Sequence, residues 1–106
     1  MRISFDHADL DIGVIHGFLT EAYWSQGIPR ETVERAVRGS LCVAALEGRS
    51  QVGFARVISD RATFAYLADV FVLPENRGRG IARAMLKSLQ AHPDLQGLPP
   101  LGAVHA

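Results

Sequence analysis

With 106 residues, 48% of them hydrophobic and 21% charged, the chain suits one globular domain and is too short for two. Eleven basic residues balance eleven acidic ones, so no global charge draws it to nucleic acid or to an anionic membrane. The single cysteine, Cys42, excludes an intramolecular disulfide, and its apolar run Leu41–Leu46 reads it as a small buried hydrophobe rather than a catalytic thiol.

In chain order, Arg2 to Phe5 alternates polar and apolar residues as an edge strand does. Leu10, Val14, Ile15, Phe18 and Leu19 follow at helical spacing, with Asp9 as the expected cap. Gly13 and Gly17 each weaken that helix by up to about 1 kcal/mol relative to alanine. Their four-residue spacing suggests close packing against another backbone. The helix is expected to fray through residues 23–27. Pro29 suits a first helical position and opens a second helix over residues 30–38, ended by Gly39. Glu31–Arg35 and Glu34–Arg38 stand there in the favourable acid-first i,i+4 order.

Two β-rich runs, Leu41–Glu47 and Gln51–Ile58, flank Gly48–Arg49–Ser50 and read as a hairpin. After a turn at residues 59–62, a third strand runs from Thr63 to Val72, and Pro74 closes it. Gly80 to Ala91 is the most regular helix: Ile81, Ala84, Met85, Ser88 and Leu89 share one face, Arg83, Lys87 and Gln90 another. Pro93 stops it. Residues 1–93 thus read as the domain and residues 94–106, rich in glycine and proline, as an irregular tail. No apolar stretch is long enough to span a bilayer and the N-terminus lacks a secretory pattern, so a cytoplasmic location without membrane contact is expected.

The chemistry concentrates in residues 69–82. A strand enters a loop with glycines at 78 and 80, and the loop opens a helix. The first N–H groups of such a helix have no intrahelical acceptor and lie at the positive end of its dipole, ready for phosphate oxygens. Arg77 and Arg79 add charge, and from Leu73 to Gln90 four basic residues face one acid, Glu75. A Walker A loop would need lysine and then Ser or Thr after Gly80, where Ile81–Ala82 stands instead. The dinucleotide fingerprint would need a third glycine where Arg83 stands.

Arg77–Gly78–Arg79–Gly80–Ile81–Ala82 matches Arg/Gln-x-x-Gly-x-Gly/Ala, and with Val72–Leu73–Pro74–Glu75 before it the segment resembles the coenzyme A pyrophosphate loop of the GNAT superfamily of N-acetyltransferases. The resemblance extends more loosely from Tyr23–Trp24 to Asp94 and includes Gly53–Phe54–Ala55–Arg56. It implies an α/β (α+β) fold, a mixed and mainly antiparallel sheet flanked by helices. It also implies acetyl-CoA as cosubstrate and an amine of a small molecule or peptide as acceptor.

Backbone amides from Arg77 through Ala82 would hold the pyrophosphate, and the strand end at Phe71 and Val72 would pair with the pantetheine arm. One of those amides would polarise the thioester carbonyl. Asp69 and Glu21 are the candidates for general base, with a structural ion pair as the alternative for Asp69. Tyr23 and Trp24 are candidates to line the acceptor pocket, or else to serve as core or lid aromatics. His7, His16, His92 and His105 lack metal-ligand spacing, so no metal is expected.

Relative to that family the chain is read as cut short, lacking the C-terminal strands and helix and, with them, a tyrosine that protonates the departing thiolate. Leu98–Pro99–Pro100–Leu101 is what one extra cytosine makes of codons for Leu-Arg-Arg-Trp, so a frameshift is one expected origin of the tail, checked by re-sequencing the gene. An uncovered core implies pairing with a second copy; a homodimer is expected in light scattering at micromolar concentration. The alternative function is a non-catalytic coenzyme A-binding domain, or a half-domain that works in an oligomer.

Overall fold

The computed structural model describes residues 1–99 and 102–103. Its centre is the hairpin of β2 (Leu41–Glu47) and β3 (Ser50–Ser59), joined through Gly48 at a φ of 59°. Six of the seven β2 residues are buried. That continuous apolar run marks a strand covered on both faces rather than one. β1 (Arg2–Ser4) pairs with β2, and β4 (Ala65–Val72) with β3, all antiparallel.

Helices cover the two faces. On one side α3 (Ile81–Gln90) lays Ile81, Met85 and Leu89 against Val43, Ala45, Ala55 and Val57. On the other, α1 (Ile12–Leu19) and α2 (Arg30–Arg38) bury Ile15, Leu19, Val33 and Val37 against Cys42, Phe54 and Phe71. Each large side chain so buried contributes about 1.5–3 kcal/mol. Gly53 sits beneath α3, where an added Cβ would lie 3.2 Å from Ala45 Cβ, Ile81 Cγ2 and Met85 Cε. The bare backbone at that point lets the first turns of α3 settle onto the sheet. Among the described residues no helix is long and apolar enough to cross a membrane.

A bulge shapes β4. Arg56 pairs with Asp69 and Val57 with Leu67, so Ala68 is the extra residue. Strand side chains alternate, and one inserted residue reverses the alternation. Ala65 and Leu67 therefore pack toward α3, as do Val70 and Val72, while Asp69 and Phe71 turn toward α1 and α2.

Several local expectations change. Asp9 does not cap α1: its carboxylate takes Ser4 Oγ at 2.6 Å and Arg2 at 3.2 Å, within a 3-10 turn at His7–Asp9. Asp11 caps instead, accepting from Val14 N–H, and buried Gln51 ties its own N–H to β3 at 2.6 Å. Gly17 meets nothing within 4 Å of a built Cβ, so no backbone packs closely there. The i,i+4 ion pair on α2 is Arg30–Glu34, at 3.3 Å. The tail, read as irregular, holds a 3-10 turn at Pro93–Leu95 and a two-residue strand, β5 (Gly102–Ala103), parallel to β4 at Tyr66 and Leu67. Two residues are too few for any periodicity to show. Pro100 and Leu101, on which the frameshift reading turns, lie outside the described residues.

Two features carry predictions of their own. Cys42 is buried, and desolvation pushes its thiol up to about 12. The native protein is therefore expected to resist iodoacetamide at pH 8 and to react stoichiometrically in urea, as read by mass spectrometry. Asp60 organises the β3–β4 turn, accepting from Thr63 Oγ1 and from the N–H groups of Thr63, Ala62 and Phe64. Those donors, the Thr63 hydroxyl foremost, hold its carboxyl well below the usual range. The folded value lies below the unfolded one, so the stabilisation is complete above the ordinary carboxyl pKa of about 3.9 and dwindles as pH falls toward the folded value. Asp60→Asn is expected to lower the urea midpoint at pH 7, with the gap to wild type narrowing below about pH 4.

Candidate functional site

The outer edge of β4, the loop after it and the start of α3 enclose one cleft of about 360 Å³. Leu73 donates its N–H inward to Val52 O at 2.9 Å, whereas Val72 O accepts Arg77 Nε at 3.0 Å. Alternate residues of a strand direct their backbone groups to opposite edges. The outward groups at this edge are thus those of Val70 and Val72, while the backbone of Phe71 faces β3. β5 pairs with β4 only at Tyr66 and Leu67, so Val70 and Val72 lie beyond it.

At the far wall, the first hydrogen bond of α3 runs from Ala84 N–H to Gly80 O, leaving Ile81, Ala82 and Arg83 N–H without an intrahelical acceptor. Gly78 and Gly80 stand at φ 79° and 77° with open space above them. That conformation costs a side-chain-bearing residue about 1–2 kcal/mol, which explains both glycines. Arg77 and Arg83 line the cleft and no acidic residue does. Positive dipole end, unsatisfied donors and two guanidinium groups together make an anion cradle.

A second cleft of about 290 Å³ follows on the same side of β4, between α1, α2 and the sheet. Its floor is a buried ion pair. Asp69, 5% exposed, takes Arg56 Nε on Oδ2 at 2.7 Å and Trp24 Nε1 on Oδ1 at 2.9 Å. Arg56 also reaches Ser40 Oγ at 3.2 Å. The two clefts adjoin along β4: Tyr66 to Asp69 border the second and Val70 to Val72 the first, and the stacked pair Phe18–Phe71, 4.1 Å apart, stands by the boundary.

Among the expected site residues, Phe71, Val72, Arg77, Gly78, Gly80, Ile81 and Ala82 all line the first cleft. Arg79 does not: its guanidinium is 2.6 Å from Glu47 at the end of β2. The strand-pairing role expected of Phe71 passes to Val70, leaving the Phe71 ring as a wall. Asp69 and Trp24 meet in the second cleft, Asp69 in the paired form held open as its alternative. Tyr23 packs edge-on to Trp24 at 5.2 Å but is 79% exposed, and Glu21 is exposed; neither lines a cleft. Phe18, Asn76 and Arg83 were not foreseen. Arg83 carries a readable signal, three residues past Gly80 on the first turn of α3.

This pairing of a strand edge with a glycine-opened helix defines a GNAT acetyltransferase domain, and the chain belongs to that family: the acetyltransferase (GNAT) domain profile matches residues 37–103. A Gibberella zeae protein named as an acetyltransferase is 34% identical, over 96% of this chain and 68% of its own length. A solved GNAT-family structure from Xanthomonas campestris pv. campestris is 50% identical and superposes with a TM-score of 0.95, over 99% of this chain and 75% of that one. Aminoglycoside 6'-N-acetyltransferase, solved with coenzyme A, shares the fold at 20% identity and a TM-score of 0.64, over 85% of this chain and 53% of its own.

Proposed function

We propose that the protein transfers the acetyl group of acetyl-CoA to an amine. The observation that carries this reading is the convergence of the acceptorless Ile81–Arg83 amides and the outward edge of Val70 and Val72 on one cleft free of acidic residues. The donor fits it in parts: diphosphate at the helix end, the amide-bearing arm along the strand. In the reaction the nitrogen lone pair of a neutral amine forms the C–N bond to the carbonyl carbon while the C–S bond breaks. The nitrogen loses one proton and the departing thiolate gains one.

Asp69 stands at the junction of the clefts. Each of its oxygens accepts one protein donor and retains a further lone pair, so the proposed contact with the incoming nitrogen is acceptance of an N–H bond there. Glu21, outside both clefts, has no place in this mechanism.

Calorimetric titration with acetyl-CoA tests the donor site. Saturable binding is expected, and Arg77→Ala is expected to weaken it roughly tenfold by removing a charged partner of the diphosphate. Unchanged affinity in the variant would remove the site. A second reading, coenzyme A binding without turnover, draws on the tie between Asp69 and Arg56; acetyl-CoA binding with no thiol release from any amine would favour it.

A further inference from the structure

Resting on the acetyl-transfer reading, we propose that the acceptor is a small monoamine borne on an aromatic or branched apolar body, seated in the cleft over Asp69. The walls are apolar, with Leu19, Ile28, Val37, Phe54 and Ile58 among them. At about 290 Å³ the cleft lies at the lower end of ligand-pocket sizes, roughly 300–1,000 Å³, which favours one ring over a multi-ring sugar.

Charge narrows the class further. The only charged residues lining the cleft are Arg56 and Asp69, and they neutralise one another at 2.7 Å. One amine reaching Asp69 gains a hydrogen-bond acceptor. A second or third ammonium on the same molecule would be desolvated among apolar walls with no carboxylate left to meet it. Polyamines and aminoglycosides are disfavoured on that ground.

The outer end agrees. Ile58 is 44% and Phe64 54% exposed, and the Phe64 ring stacks on Tyr66 at 5.9 Å, so the approach to the cleft is apolar as well. An acceptor entering there slides its body along these side chains and brings its nitrogen to the Asp69 end, beside the strand edge assigned to the thioester.

Trp24 is the sole tryptophan and lines this cleft, so its emission reports occupancy without need of turnover. The wild-type protein is titrated with 2-phenylethylamine, spermidine and kanamycin while Trp24 fluorescence is followed, and thiol release from acetyl-CoA is measured with the same amines. Phenylethylamine is expected to give a saturable change at concentrations at least tenfold below spermidine and kanamycin, and the highest kcat/KM. Ala36→Phe, which projects a ring from α2 into the cleft, is expected to raise its apparent Kd or KM at least tenfold with acetyl-CoA affinity unchanged. Equal or better performance by spermidine or kanamycin overturns the inference, as does an unresponsive Trp24 in protein that binds acetyl-CoA. A Trp24 response without thiol release leaves the inference standing and counts against acetyl transfer instead.

Discussion

Asp69→Ala is expected to lower the unfolding free energy by about 3–5 kcal/mol, the range for removing one member of a buried ion pair. The pair is well inside: side-chain exposure is 17% for Arg56 and 7% for Asp69. Alanine leaves the guanidinium desolvated with only Ser40 Oγ close by, and leaves Trp24 Nε1 without its carboxylate acceptor. The net worth of the intact pair is smaller than the cost of breaking it. Arg56→Met combined with Asp69→Leu is therefore expected to recover much of the loss, and a double-mutant cycle by urea denaturation checks both statements. A single-mutant cost under about 1 kcal/mol would show the pair to be solvated.

Gly53→Val is expected to destabilise by about 1–3 kcal/mol and to weaken acetyl-CoA binding with it. Valine favours strands on a scale spanning about 1 kcal/mol, so propensity alone points the other way. Packing decides the sign. A bare Cβ would already sit 3.2 Å from three side-chain atoms of the core, and two further methyl groups have nowhere to go unless α3 lifts off the sheet. Since α3 carries the diphosphate cradle at its first turn, lifting it moves the N–H groups away from the strand edge they work with. Gly53→Ala, a smaller intrusion, is expected to fall near neutrality. Thermal melts with and without acetyl-CoA separate the two effects: a stability loss with unaltered ligand shift would uncouple Gly53 from the cradle.

The cradle was legible because its information is local. Residues 77–82 combine a positive-φ glycine pair, a helix start and flanking arginines within six positions, and the fold could hardly place them apart. The hairpin and α3 were legible for the same reason: periodicity and glycine punctuation act over short spans. What the sequence hid was side-chain partnership at a distance. Trp24 and Asp69 are 45 residues apart, Arg56 and Asp69 are 13, and Arg79 finds Glu47 at a separation of 32. The direction of Asp69 depends further on the bulge at Ala68, one inserted residue that no alternation pattern announces. The true cap of α1 escaped because two aspartates compete, and Ser4 with Arg2 captures the first.

The hydrogen bond from Arg77 Nε to Val72 O makes the resting protein its own competitor. A ligand arm that takes the Val72 carbonyl must first evict the guanidinium, which is then free to swing toward the diphosphate. The measured affinity is accordingly an exchange, one contact surrendered for another. Deleting the arginine unmasks the carbonyl as well as stripping the phosphate partner, so its alanine variant understates the strength of the arginine–phosphate contact.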